Sequence, residues 1–142
     1  MANGSSLAFG ILLPPTNTGI TPTFAPTLDP PLDAARKLME TNVLAALSWT
    51  RKAIAAGLGA DGAGAVVNVA SVAGLGATGV IGMYGVSKAA LIALTRELGL
   101  QLAPAVRANP ASPPLVQTQI RARLFAQGAT PARRPTPRPS ST

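Results

Sequence analysis

Short apolar runs recur along the chain at intervals that suit buried strands. The run from Leu7 to Leu13 ends at Pro14, and residues 65–70 are small or β-branched and follow a glycine. Both patterns are typical of strands in a parallel sheet that is covered on its faces. Val106 begins a third run, which we expect Pro110 to cut short because proline lacks the amide hydrogen that a sheet ladder needs.

Two stretches between these runs have helical spacing instead. Residues 33–57 place apolar side chains every three or four positions, with Asp33 expected as the N-cap. Residues 84–103 repeat the pattern and end before Pro104. The order strand, helix, strand, helix, strand predicts an α/β fold with a parallel sheet of about three strands and two long helices.

Composition narrows the chemistry that is open to this chain. Of its 142 residues 47% are hydrophobic, which favours a packed core, and none is cysteine or histidine. Disulfides, thiolate ligands and imidazole ligands are therefore excluded, and no metal site is predicted. Any acid–base catalysis must use other side chains.

The positive charge is concentrated at the C-terminal end. Residues 1–120 hold seven basic and five acidic side chains, whereas 121–142 hold five arginines and no acid. We expect a domain over 1–125 and a Pro/Arg-rich disordered tail over 126–142. Because the tail has no interleaved aromatic residues, no nucleic-acid partner is predicted. No apolar run has the length of a membrane span and the N-terminus lacks a basic leader, so we expect a cytoplasmic protein with no membrane partner.

The pair Tyr84 and Lys88 is the most informative chemical feature. Tyr84 is the only tyrosine, it precedes Lys88 by four residues, and it follows Ser71 by thirteen. Four residues along a helix put the phenol and the ammonium on one face, where the cation is expected to lower the phenol pKa from about 10. Such a pair suits proton exchange with a carbinol. The alternative is an interfacial tyrosine beside a solvated lysine, and the spacing alone leaves both open.

Two further features also allow more than one interpretation. Asn42 lies within the apolar stripe of 33–57, so it is either a structural tie to neighbouring backbone or a placed functional group, and the tie is favoured. Residues 74–79 match a Gly-x-Gly-x-x-Gly dinucleotide fingerprint between a strand and a helix. The nominal ribose acid, Glu97, falls inside the predicted helix, which favours a loop lining a pocket over a phosphate cradle.

From about residue 7 to residue 124 the chain resembles the short-chain dehydrogenase/reductase family. Five segments occur in the family's order and at fitting distances. They are the Asn17-Thr18-Gly19 turn, Thr41-Asn42-Val43, the Asn68-Val69-Ala70-Ser71 segment, the Tyr84 to Lys88 helix start, and the stretch from Arg107 to Thr118.

The resemblance implies an NAD(P)-dependent oxidoreductase that interconverts an alcohol and a carbonyl on a small molecule. In the family's mechanism Tyr84 would exchange the proton, Ser71 would bind the substrate oxygen, Lys88 would lower the tyrosine pKa, and Asn42 would keep an ordered water. NAD and NADP both remain open as cofactor. The residues that the resemblance places at the cofactor are Asn17, Gly19, Tyr84, Lys88, Pro113, Val116 and Thr118.

The family's N-terminal glycine-rich cofactor turn has no counterpart in this sequence. The resemblance therefore implies a truncated member with a partial Rossmann-like sheet, which we expect to lack the adenosine and pyrophosphate site and to be weak or inactive alone. The resemblance also implies a homo-oligomer through helices 33–57 and 84–103. The alternative function is a non-catalytic remnant that acts as an oligomerising or interaction module.

Overall fold

The computed structural model describes residues 11–12, 27–79 and 81–113. Its three strands are β1 (Ile11–Leu12), β2 (Gly64–Val69) and β3 (Val106–Ala111). They form one parallel sheet in the order β1, β2, β3. The predicted α/β class with a partial Rossmann-like sheet is confirmed. Most of the predicted first strand and the predicted C-terminal tail lie outside the described residues.

Two helical segments connect the strands. The first comprises α1 (Leu32–Met39), a π-helical turn (Glu40–Leu44) and α2 (Ala45–Ala55), and the second is α3 (Gly82–Leu102). A short 3₁₀ turn, Val72–Gly74, lies between β2 and α3. Within the described parts of the chain, no helix combines the length and the apolar character that crossing a membrane requires.

The core lies between α3 and one face of the sheet. Val66 and Asn68 of β2 are fully or almost fully buried, and Asn68 donates its side-chain amide to Thr95 Oγ1 of α3 at 2.9 Å. A Cβ atom added to Gly99 of α3 would lie 3.2 Å from the carbonyl oxygen of Ala108 on β3. This close packing fixes α3 on the sheet and so positions the residues at its N-terminus.

The prediction that Asp33 caps the first helix is wrong. The helix begins one residue earlier, at Leu32, with Pro31 at the N-cap and no side-chain cap hydrogen bond. Asp33 lies inside the first turn and pairs with Arg36 three residues later. A carboxylate in the first turn is still favoured by the helix dipole.

The prediction that Pro110 shortens the last strand is also wrong. β3 continues to Ala111, and Pro110 is in register with Asn68. The Ala105 carbonyl accepts from the amide of Gly64, the first residue of β2, and the Ala111 carbonyl accepts from the amide of Ala70, directly after β2. Because backbone groups alternate sides along a strand, the Pro110 nitrogen points away from β2, so its missing hydrogen removes no bond from that ladder.

Candidate active site

The site lies where β2 and β3 end. Ser71 follows β2 in an extended conformation and caps the 3₁₀ turn, with its Oγ accepting from the Ala73 amide at 3.2 Å. The Val72 amide donates to the Pro113 carbonyl at 3.4 Å, which joins the end of β3 to the same turn. The carboxyl ends of parallel strands are where open α/β sheets form their binding crevices.

The N-terminal part of α3 brings a phenol and an ammonium to this place. Lys88 Nζ donates to the Val69 carbonyl at 2.9 Å and lies 5.7 Å from the centroid of the Tyr84 ring. The Ser71 side chain is near enough to Tyr84 to lower the pKa of its phenol. The structure therefore brings together Ser71, Tyr84 and Lys88, the three residues that the sequence spacing singled out.

Burial controls the protonation of both titratable groups. It raises the pKa of the half-buried Tyr84 phenol above 10.0, and the Ser71 hydrogen bond offsets part of that rise. It also lowers the pKa of the Lys88 ammonium, whose side chain is only 2% exposed. The net direction for Tyr84 is opposite to the one expected from its spacing to Lys88, because removal from water disfavours the phenolate.

Asn42 is tied to the tyrosine helix. It lies in the π-helical turn, is 2% exposed, and donates Nδ2 to Ser87 Oγ at 3.0 Å. This partner is a side chain of another helix. Single π turns within α-helices are frequent at functional sites, and the spacing of apolar residues gives no signal of one.

Two glycines that sequence reasoning did not assign to the site set the distance between the Ser71 turn and α3. A Cβ on Gly74 would lie 2.7 Å from backbone atoms of Lys88 and Ala89, and a Cβ on Gly85 would lie 2.8 Å from the Ala73 carbonyl oxygen. Each contact is closer than a real side chain tolerates. For Gly85 the signal in the sequence is a glycine in the first turn of a helix, where it is otherwise unfavourable.

The other candidate residues are placed less completely. Pro113 is the last described residue of the C-terminal part and contacts the Ser71 turn. The remaining candidate cofactor residues, Asn17, Gly19, Val116 and Thr118, lie outside the described residues.

Removing the Ser71 hydroxyl should raise the Tyr84 pKa further. Since Tyr84 is the only tyrosine, tyrosinate absorbance during an alkaline titration reports this one group. We expect Ser71→Ala to move the midpoint upward by about 0.4 to 1 pH unit, the equivalent of one ordinary hydrogen bond. Ser71→Thr keeps the hydroxyl and should titrate like the wild type. A Ser71→Ala midpoint at or below the wild-type value would show that the bond does not act on Tyr84.

Stability should depend on pH through Lys88. Its folded pKa is lowered, so between that value and its ordinary 10.5 the unfolded chain holds a proton that the folded chain has lost. The free energy of unfolding therefore rises with pH in this window. Tyr84 acts in the opposite sense above 10.0, because its raised pKa keeps the phenol protonated longer in the folded chain.

Urea unfolding at stepped alkaline pH measures both contributions. Tyr84→Phe should remove the decline above about pH 10 and leave the rise, whereas Lys88→Met should remove the rise. Lys37→Met, at an exposed lysine of α1, is the matched control and should leave the pH profile unchanged. A Lys88→Met profile that keeps the wild-type rise would contradict the burial of this ammonium.

Comparison with known proteins agrees with this geometry. A family profile described as short chain dehydrogenase matches residues 11–129. Dehydrogenase/reductase SDR family member 4 from Bos taurus is 33% identical over 121 residues, which are 84% of this chain and 43% of that protein. The chain therefore belongs to the short chain dehydrogenase family of oxidoreductases.

Solved structures of dehydrogenases have the same fold. NAD⁺-bound xylitol dehydrogenase gives a TM-score of 0.71 at 32% identity, with 83% of this chain and 46% of that chain covered. A 4-hydroxyisoleucine dehydrogenase mutant complexed with NADH and succinate gives 0.69 at 29% identity, with 80% and 47% covered. The chain spans about half the length of the curated relatives it matches.

Proposed function

We propose that the protein is a nicotinamide-dependent oxidoreductase that interconverts a small alcohol and its carbonyl, with Tyr84 as general acid and base. One observation carries the proposal: a hydroxyl, a phenol and an ammonium meet at the carboxyl ends of β2 and β3. The Ser71 side chain lowers the pKa of the Tyr84 phenol, and Lys88 Nζ lies 5.7 Å from the centroid of the Tyr84 ring. Membership of the family supports the reaction class.

Each side chain has a distinct task in this proposal. Tyr84 donates its phenol proton to the oxygen of a carbonyl substrate, and Ser71 donates a hydrogen bond to the same oxygen as negative charge develops there. The charge of Lys88 favours the phenolate that remains after the transfer. In the reverse direction the phenolate accepts the proton of the alcohol.

The protonation state of Tyr84 favours the reductive direction. Because burial raises its pKa above 10.0, the phenol is protonated at neutral pH and ready to donate. Alcohol oxidation needs the phenolate and should speed up toward alkaline pH. The direction of the pKa shift therefore supports carbonyl reduction as the faster reaction at neutral pH.

Two described side chains can donate hydrogen bonds to the nicotinamide end of a dinucleotide. Lys88 supplies a buried cation and Tyr84 a phenol, so we assign these two to the nicotinamide and its ribose, and the resemblance adds Pro113 after β3. When bound, the cofactor supplies or receives the hydride. The assignment extends to Asn17, Gly19, Val116 and Thr118 by resemblance, and the relatives in solved structures include forms bound to NAD⁺ and NADH.

Titration of the purified protein with NADH and with NADPH tests this function. We expect a change in nicotinamide fluorescence below about 1 mM, the concentration at which a site of about −4 kcal/mol is half filled. Lys88→Met should weaken that binding, while Lys37→Met should leave it unchanged. An absence of any fluorescence change with both cofactors would contradict the proposal.

A second candidate function is an oligomerising module, and an exposed apolar groove favours it. The groove has a volume of about 350 Å³ and lies between the first helical segment and α3. Its apolar lining is mainly Leu32, Met39, Leu44 and Met83, and Arg36 and Glu40 also line it. The Leu44 side chain is large and apolar, yet the residue is 54% exposed. We propose that homo-oligomers form through helices 33–57 and 84–103, with or without catalysis.

Replacing Leu44 with glutamate should weaken self-association. A charge in an apolar contact must be desolvated without a partner, so we expect the dissociation constant to rise by about tenfold or more. Sedimentation velocity over a concentration series measures the change. Leu75→Glu, at an exposed leucine outside both helices, is the matched control. A Leu44→Glu protein that associates like the wild type would contradict this interface.

A further inference from the structure

Ser87 makes two hydrogen bonds that join separate parts of the site. It lies in α3 between Tyr84 and Lys88 and is completely buried. Its hydroxyl donates to the Tyr84 carbonyl at 2.8 Å and accepts from Asn42 Nδ2 at 3.0 Å. A single oxygen therefore connects the π-helical turn to the first turn of the helix that carries the tyrosine.

The two bonds differ in what they contribute. A serine that donates to a carbonyl three residues earlier is common in helices and constrains little beyond its own rotamer. The bond from Asn42 joins residues that are 45 positions apart. Because Asn42 is also buried, each member of this small network is costly to leave without its partner, and the network resists displacement of one helix relative to the other.

We propose that Ser87 is a positioning residue of the candidate active site. By linking Asn42 to the Tyr84 carbonyl it fixes the first turn of α3, and through that turn it sets the hydrogen bond between Tyr84 and Ser71. The catalytic meaning of this role rests on the proposed function. The geometric part can be tested without turnover, because Tyr84 is the only tyrosine and its titration can be followed directly.

A mutant cycle on the Tyr84 titration distinguishes positioning from general stability. We expect Ser87→Ala to raise the tyrosinate midpoint in the same direction as Ser71→Ala, and by no more than that variant does. Since Ser87 is proposed to act through the Ser71 bond, the double variant Ser71→Ala/Ser87→Ala should titrate like Ser71→Ala alone. A loss of stability without repositioning would leave the midpoint of the folded protein unchanged.

Two further variants keep the test decisive. Asn42→Ala removes the same inter-helix bond from the other side, and it replaces Ser87→Ala if that variant does not fold by circular dichroism. Ser48→Ala, at an exposed serine of α2, is the matched control and should titrate like the wild type. A folded Ser87→Ala or Asn42→Ala protein with the wild-type midpoint would overturn the proposal, as would full additivity in the double variant.

Nicotinamide binding separates this inference from the function on which it rests. A wild-type protein that binds neither NADH nor NADPH contradicts the proposed function, while the titration cycle still decides on the placement by Ser87. If the cofactor binds and the midpoints do not move, the proposed function stands and Ser87 is not a positioning residue. With an active protein, we expect Ser87→Ala to lower kcat while the cofactor KM stays within about twofold, because the variant alters proton transfer and not binding.

Discussion

Replacing Tyr84 with phenylalanine should nearly abolish turnover. The substitution removes the only phenol of the chain and leaves the ring that packs beside Lys88. A positioned general acid contributes about 100- to 10,000-fold to a proton-transfer step, so we expect kcat to fall by about that factor. The decrease in nicotinamide absorbance with a panel of small ketones, in the presence of NADH or NADPH, measures it.

The binding of cofactor is the control for this variant. The reaction uses the phenol proton, whereas Lys88 remains to hold the cofactor, so Tyr84→Phe should keep most of its nicotinamide binding and lose far more in kcat. This combination, with kcat lowered and binding kept, is the pattern of an interaction made in the transition state. A Tyr84→Phe protein that reduces a ketone at the wild-type rate would remove Tyr84 from the mechanism.

Adding a methyl group at Gly74 or Gly85 should destabilise the fold and open the site. The new Cβ atoms would lie 2.7 and 2.8 Å from backbone of the opposing element, and backbone atoms cannot rotate away as the end of a side chain can. We expect each alanine variant to lose about 1 to 3 kcal/mol in the free energy of unfolding. For Gly85 this loss exceeds the gain of about 0.5 to 1 kcal/mol that alanine brings to a helix.

Gly76→Ala is the matched control, because a Cβ at that position would meet nothing within 4 Å. Urea unfolding of the three variants compares their stabilities. The Tyr84 titration should also shift upward in Gly74→Ala and Gly85→Ala, since moving the Ser71 turn lengthens its bond to the phenol. If Gly74→Ala and Gly76→Ala unfold at the same urea concentration, the two glycines do not set this distance.

Local sequence patterns predicted the parts of the site that depend on order along the chain. The β-branched residues before Ser71 predict a strand that ends there, and the helical spacing after Tyr84 predicts a helix that begins there. Ser71 and Tyr84 are therefore expected at the same end of the sheet, where its parallel strands have their carboxyl ends. The same logic placed Lys88 one turn beyond Tyr84. The structure brings these three side chains together, and the observed β2 and α3 begin one and two residues before their predicted starts.

Patterns failed where the outcome depended on a competing local partner. Asp33 was expected to cap a helix, but Pro31 precedes it and takes the N-cap position, while the Asp33 carboxylate pairs with Arg36. Pro110 was expected to end β3. A missing amide hydrogen removes a sheet hydrogen bond only when the nitrogen points toward the neighbouring strand, and the Pro110 nitrogen points away from β2. Both outcomes require knowing which neighbour each backbone group faces.

The sequence patterns could not predict properties that depend on tertiary packing. The spacing of Tyr84 and Lys88 predicts a cation near a phenol, yet it carries no information on burial, which reverses the direction of the Tyr84 pKa shift. Ser87 and Asn42 are 45 residues apart, and their bond depends on how two helices cross. The close approaches at Gly74 and Gly85 likewise arise only when the Ser71 turn packs on α3.

The central claim is that Ser71, Tyr84 and Lys88 form the proton-transfer site of a nicotinamide-dependent oxidoreductase. Its most direct test is transfer of deuterium from nicotinamide cofactor labelled at the hydride-donating carbon to a ketone, with the alcohol product analysed by mass spectrometry. The account predicts a singly deuterated alcohol from the wild type and almost none from Tyr84→Phe. Equal deuterium incorporation by both proteins would contradict it.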